Sequence, residues 1–478
     1  MRTILIWPTQ TEDVGIMIQK LADAGQKIVY FVGEEPVRHL TPSGAIFHDH
    51  YKAWDAEPAE ALSDLAFDPP SAEVLHRMHA LESLILTMMN KRYDKAVVDE
   101  RKHVYYTMLG YWRAIFEKLK PEAVVFGILP HSLYSNIIYE LAKERGLPVV
   151  CFEETWVAGR LMVHDDFWKG NERLRAAFRK AREIGVKEED LHPELRDYFR
   201  KQRNPKEDGT PWYMKEQKGI GAGVGLWRHR AEIALRSPLR AVPRALGLLA
   251  RSILPNLRSE YSSVQEQPDL GAHYVYFPLN FQPERTTSPQ GGVFVDQILA
   301  IETLSAALPE GWEIYVKEHP SQWWRRGKTR YTSSRYPGYY RRIARIPHVR
   351  VVPIGTSTFG LLAGARAVAT ITGTAGWEAV LRGKPTLAFG IPWYRDFPSV
   401  SLVRNAEDCR VALADITKGI GMPEEADILA FLKALELSCA RAHIGSLGKT
   451  ASPSIPLEES MRAMAEAAIQ RLKGGAIH

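Results

Sequence analysis

Cysteine is scarce in this chain: three residues in 478, Cys151, Cys409 and Cys439, far apart and never in Cys-x-x-Cys spacing. Neither a disulfide framework nor a zinc cluster organises such a sequence, and a reducing compartment suits it. Long apolar runs are missing as well, so no membrane-spanning helix is expected. The opening residues MRTILIWPTQ lack the basic start, apolar run and small-residue cleavage site of a secretory signal, which points to a protein that stays in the cytoplasm. No Gly-x-Gly-x-x-Gly or Walker A pattern occurs, so neither a dinucleotide nor an ATP site is expected. Internal repeats and low-complexity tracts are absent too.

What is present is a globular composition, with 45% hydrophobic and 25% charged residues, at a length that suits two or three domains. The formal charge of +6 is unevenly spread. Residues 218–258 carry eight Lys or Arg against one acid, Glu232, and the remainder is close to neutral. Such a stretch can face a phosphate-rich substrate, an anionic lipid surface or nucleic acid, or form a solvated helix face. It holds few aromatics for base stacking, and nucleic acid is not the expected partner.

Strand and helix signals alternate at both ends of the chain. TILIWP, KIVYFVG, Ala123–Ile128 and GLPVVCFEE read as strands, with helices at Val14–Ala24 and Ser132–Arg145. A second series begins at HYVYFPLNF and continues through a helix over Val293–Ala307 to WEIYVKEH and VRVVP. A helix at Thr358–Ala363, AVATIT, a helix at Gly376–Arg382 and PTLAFG complete it. Between the two series the chain is charged, Pro-dotted and helical in pattern. The expected architecture is α/β, two Rossmann-like domains facing a cleft, with a helical insertion between them. The boundaries are 1–164 for an acceptor-side domain, 165–268 for a basic insertion or linker, and 269–440 for a second Rossmann-like domain. Residues 441–478 form a helical segment packing back across the domains.

Candidate chemistry lies where strands end and loops begin, because ligands bind there in open α/β sheets. Phe281-Gln282-Pro283-Glu284-Arg285-Thr286-Thr287 offers an amide, a carboxylate, a guanidinium and hydroxyls on one loop, or reads plainly as a Pro-containing turn. Lys317-Glu318-His319-Pro320 keeps the backbone extended before proline, so the imidazole can reach a phosphate oxygen, with Lys317 and Glu318 on opposite faces. In Thr370-Ile371-Thr372-Gly373-Thr374-Ala375-Gly376-Trp377-Glu378, small residues precede a helix N-terminus, a cradle for a phosphate. Glu378 is placed in that helix's first turn, as a dipole partner or a ligand for ribose hydroxyls. In the first half, Pro130-His131-Ser132 and Glu153-Glu154-Thr155 stand at strand ends, where His131 or Glu153 suits a general base and Ser132 an N-cap.

QPERTTSPQGG, the Asp-Gln pair at 296–297, VKEHP and TITGTAGWEAVLRGKP occur in an order that resembles the bacterial capsule polysaccharide biosynthesis family, which includes the capsule Kdo transferases. The likeness is strongest over roughly 272–392. It implies a GT-B glycosyltransferase whose C-terminal domain binds a nucleotide sugar and whose N-terminal domain presents an oligosaccharide or lipid-linked glycan acceptor. On that resemblance His319 contacts the donor phosphate, and Thr372, Gly373, Thr374 and Glu378 surround the nucleotide. Gln282, Arg285 and Lys317 complete the donor site, and Glu284 is the catalytic carboxylate, as nucleophile or sugar ligand. Family Kdo transferases have an acidic run after the Gln, whereas here Gln282 is followed by Pro283, Glu284 and Arg285. No Asp-x-Asp motif stands at a strand end, and GT-B enzymes generally work without a metal, so neither metal nor cofactor is expected. The basic stretch 218–258 then serves as a peripheral contact with the inner membrane or simply as a connector. Competing expectations are a polyol-phosphate transferase of the teichoic-acid type and a non-catalytic scaffold or chaperone of a capsule assembly complex.

Overall fold

The computed structural model describes residues 1–203, 256–324 and 331–474. The strands among them are β1 (Arg2–Ile6), β2 (Lys27–Gly33), β3 (Ile46–Asp49), β4 (Ala123–Phe126), β5 (Val149–Glu154), β6 (Arg160–His164), β7 (His273–Pro278), β8 (Trp312–Lys317), β9 (Val349–Val351), β10 (Ala367–Thr370), β11 (Thr386–Ala388), β12 (Val400–Leu402) and β13 (Ala440–Arg441). They fall into two compact units, one formed by Met1–Arg200 with Glu424–His478 and the other by Lys201–Pro423.

The first unit holds a sheet in the order β13-β6-β5-β4-β1-β2-β3. β1 to β5 run parallel, and the antiparallel β6 and β13 extend one edge. The inner strands are near-continuous apolar runs because helices cover both faces; in KIVYFVG every residue after Lys27 is buried. The second unit's sheet, β12-β11-β10-β7-β8-β9, is parallel throughout. Numbered within each unit, both sheets contain the order 3-2-1-4-5, the doubly wound topology of a Rossmann-like domain. The expected α/β class and its two Rossmann-like halves are thus present.

The unit boundaries differ from the expected 164 and 440. Helix Glu172–Ile184 buries Leu174, Phe178 and Ala181 against helix Glu425–Ser438, where the Phe178 and Phe431 rings meet edge to face with centroids 5.4 Å apart. Arg182 adds an ion pair to Asp427 at 2.7 Å. This apolar stripe joins two segments far apart in sequence to the first unit, together with helix Pro193–Arg203. Most of the basic stretch 218–258 lies outside the described residues. The last helix, Leu457–Leu472, contributes Met461, Met464, Ala465, Ala468 and Leu472 to the core that holds Val14, Met17 and Leu21 of helix Val14–Asp23.

Candidate functional site in the second unit

In the second unit β7 has β8 on one side and β10 on the other. The chain leaves β7 toward one edge and later returns to β10, so the crevice between their carboxyl ends is the topological switch point. Three loops meet there, those following β7, β8 and β10, and they carry most of the residues singled out in the sequence.

The loop after β10 leads into helix Thr374–Leu381, whose N-cap is Gly373 in extended conformation, with no side-chain cap. The Thr374 and Ala375 amides therefore keep their donor capacity toward an anion, while Gly376 N–H donates to Gly373 O at 3.2 Å. Gly373 N–H donates to Thr370 Oγ1 at 3.1 Å, and Thr370 Oγ1 in turn donates to Asn280 Oδ1 at 3.2 Å. A Cβ on Gly373 would sit 2.9 Å from Thr370 Oγ1, so the small residue is required by packing within the loop. Thr372 is buried and donates to Thr286 O at 2.5 Å, which fastens this loop to the one after β7.

Glu378 is not in the helix's first turn. The helix begins at Thr374, two residues before the expected start, because Gly373 already serves as N-cap; Glu378 is therefore the fifth helical residue. Its carboxyl pKa is raised by burial, opposed by the Arg382 charge and by a hydrogen bond with Thr374.

His319 follows β8. Ser321 N–H donates to His319 Nδ1 at 3.2 Å; an amide can only donate, so in the neutral ring the proton lies on Nε2, the tautomer that donates to a phosphate oxygen. The ring lies 6.1 Å from that of Phe281 on the neighbouring loop. Lys317 and Glu318 do point to opposite sides. The buried Lys317 ammonium donates to Thr356 O at 2.5 Å and Thr358 Oγ1 at 2.8 Å, holding the loop after β9 rather than waiting for a ligand.

Gln282 is likewise committed to the protein. It is buried; its Nε2 donates to Val295 O at 2.7 Å, and its Oε1 accepts from Gln297 Nε2 at 2.9 Å and from Arg335. Its backbone pairs with the Gln322 amide at 3.2 and 3.1 Å. This residue builds the loop. Glu284 and Arg285 are partly exposed on the same loop; Glu284 Oε1 accepts from Arg285 N–H at 3.3 Å, while the Arg285 guanidinium makes no hydrogen bond or ion pair with the described residues.

In the first unit the equivalent switch point lies between β1 and β4. A recess there is lined by Pro8, His50, Ile128, His131, Ser132 and Tyr134, among others. His131 Nδ1 donates to Leu129 O at 2.9 Å, leaving Nε2 as the basic nitrogen of the neutral ring. Ser132 is the N-cap of helix Leu133–Glu144, in a capping box with Ser135. Glu153, by contrast, is buried, with its carboxylate 3.0 Å from His164 Nε2 across the β5–β6 pair. Side-chain exposures of 6% and 3% place that pair inside the protein, so Glu153 is no base for a substrate hydroxyl.

Three residues that shape the site gave no motif-level signal, Asn280, Gln322 and Arg335, and Gln297 entered only through the Asp-Gln pair, with no role attached. Their partners are 15 to 55 positions away in sequence, and only the fold brings them together. Among the described residues no helix is long and apolar enough to cross a membrane, and no group of three or more His, Cys, Asp or Glu side chains is placed to hold a metal ion.

Solved structures similar to the chain include the β-Kdo 2,7-transferase KpsC of Thermosulfurimonas dismutans, at 11% identity and TM-score 0.31, covering 76% of this chain and 88% of that one. The spinosyn rhamnosyltransferase SpnG gives 11% identity, TM-score 0.25, and 98% and 100% coverage. The UDP-GlcNAc 2-epimerase of Neisseria meningitidis gives 10%, 0.22, and 99% and 100%. At these TM-scores the likenesses carry no argument about activity. Among curated protein sequences none matches the chain. Residues 289–418 match the family model of the capsule polysaccharide biosynthesis protein, in agreement with the resemblance read from the motifs. That stretch begins in the loop after β7, beyond Glu284 and Arg285, and contains His319, the Gly373 turn and β8 to β12; over these residues the chain is similar to the capsule polysaccharide biosynthesis protein family.

Proposed function

We propose that the protein is a glycosyltransferase that moves a sugar from a nucleotide-sugar donor to a growing capsule or other surface polysaccharide. The observation that carries the reading is the uncapped N-terminus of helix Thr374–Leu381 at the second unit's switch point. Strand-end loops there also carry His319, with its proton on Nε2, and the Arg285 guanidinium. Helix amides, an imidazole N–H and a guanidinium are all donors suited to a diphosphate, and they supply charge stabilisation to a departing nucleotide without a metal. Glu284, on the loop after β7, would act on the sugar, as nucleophile or hydroxyl ligand. On the acceptor side, His131 Nε2 at the first unit's switch point is the base for an acceptor hydroxyl. The basic stretch 218–258 would attract the enzyme to an anionic membrane surface that carries a lipid-linked acceptor.

Calorimetric titration of the full chain with CMP, UDP, GDP and CMP-Kdo tests this, repeated on His319→Ala. Selective binding of one nucleotide, weakened about tenfold or more in the variant, is expected, since loss of a hydrogen bond to a charged group is worth roughly 1.5–3 kcal/mol. Absence of binding to all four would sink the donor assignment and favour a scaffold.

A further inference from the structure

One ionic cluster in the second unit takes no part in that reading. Glu318 and Arg335 form an ion pair at 2.8 Å with side-chain exposures of 0% on both. Every N–H of the Arg335 guanidinium has an acceptor. Nε donates to Glu318 Oε2; Nη1 to Gln282 Oε1 and to Ser334 O at 3.0 Å; Nη2 to Asn280 O at 3.1 Å and to Glu318 Oε1 at 3.3 Å. Its face lies over the Tyr339 ring, 4.5 Å from the centroid. Glu318 also accepts from Tyr340 OH at 2.5 Å and from the His319 backbone N–H at 2.7 Å.

A buried ion pair of this kind is poorly explained by stability, because the cost of desolvating two charges offsets their attraction and a well-packed apolar pair serves equally well. What a guanidinium fork adds is direction: it fixes several acceptors in one plane. Here those acceptors lie on the loop after β7, at Asn280 and Gln282, and on the tip of β8, at Glu318. Asn280 passes the constraint on through its side chain to Thr370 and so to Gly373 N–H after β10.

We propose that Arg335 and Glu318 are positioning residues, a buried clamp that holds the three strand-end loops in the geometry that binds the donor's diphosphate, without touching the ligand. The proposal rests on the nucleotide-sugar reading for its ligand, and its geometry can be tested apart from it. Arg335→Lys keeps a cation beside Glu318 but cannot reach Asn280 O and Gln282 Oε1 together. A second variant, Glu318→Leu with Arg335→Met, removes both charges at once, so that no unpaired ion remains.

Two measurements on the full chain decide it: amide hydrogen exchange, and titration with the nucleotide that the unaltered protein selects. In both variants, exchange at 280–290, 318–322 and 372–376 should rise while β7, β8 and β10 stay protected, and nucleotide affinity should fall about tenfold or more. Unchanged exchange in these loops, or unchanged affinity in variants that keep their thermal transition, would overturn the clamp. If the unaltered protein binds no nucleotide, the donor reading fails, and hydrogen exchange alone still tells whether the clamp holds the loops.

Discussion

The two units share a strand order and differ in how they finish their strand ends. At the first unit's switch point the chain turns through a capping box of neutral hydroxyls, with His131 and the buried His50 in the wall. At the second unit's, the helix is left uncapped and the loops before it are tied by a buried ion pair. Burial pushes the His48 and His50 pKa values down to about 4, so the first unit's aromatic core holds these rings neutral, bonded to Tyr30 and Tyr134. One doubly wound scaffold has thus been finished twice, once with neutral hydrogen bonds and once with fixed charges.

Breaking the comparison at its strongest point gives the largest effect. Arg335→Met alone leaves Glu318 buried without its counter-charge and should cost the second unit about 3–5 kcal/mol in urea unfolding; a loss under roughly 1 kcal/mol would mean that Glu318 finds water or a proton. Replacing both partners should restore most of that stability.

The first unit should answer to acid instead. A ring whose folded pKa lies below its unfolded value near 6.5 contributes stability that is whole above pH 6.5 and is lost as pH falls toward 4. For His48 and His50 the loss is on the order of 3 kcal/mol each by pH 4. Urea midpoints between pH 7 and 4 should therefore fall, and His50→Gln should flatten the slope; a pH-independent midpoint would show that these rings are not held neutral.

The smallest effect sharpens the contrast between the helix ends. Ser132→Ala removes a cap and should cost about 1 kcal/mol of first-unit stability. An effect near zero, measured by the same unfolding curves, would mean that Ser135, which accepts from both His131 and Ser132 N–H, caps that turn alone.

Much of this was legible in the residues. KIVYFVG predicts a strand over the seven residues it occupies, and the helix expected at Ser132–Arg145 runs over Leu133–Glu144, because long apolar runs with clear punctuation leave little choice of structure. The short strands β3 and β6 leave no signal in the sequence: four or five residues carry too little periodicity, and β6 exists by pairing with β5. Glu378 lies two residues deeper in its helix than the sequence predicts, because a helix start depends on cap geometry, which Gly373 sets through its backbone. Glu153 suits a base in sequence because a strand-end carboxylate looks the same there whether it faces solvent or, as here, the buried His164.

The sequence by itself determined the alternation of strands and helices, the places where the strand-end loops had to fall, and the family that residues 289–418 resemble, since these follow from local apolar pattern and contiguous motifs. Only the tertiary structure decided which of those side chains remain open to a ligand. Gln282, Lys317 and Glu153 were spent on internal hydrogen bonds, and Arg335 was joined to Glu318 across 17 positions and to Gln282 across 53. Burial is a property of the packed chain, and it alone sets whether a charge must find its partner inside the protein or can offer itself outside.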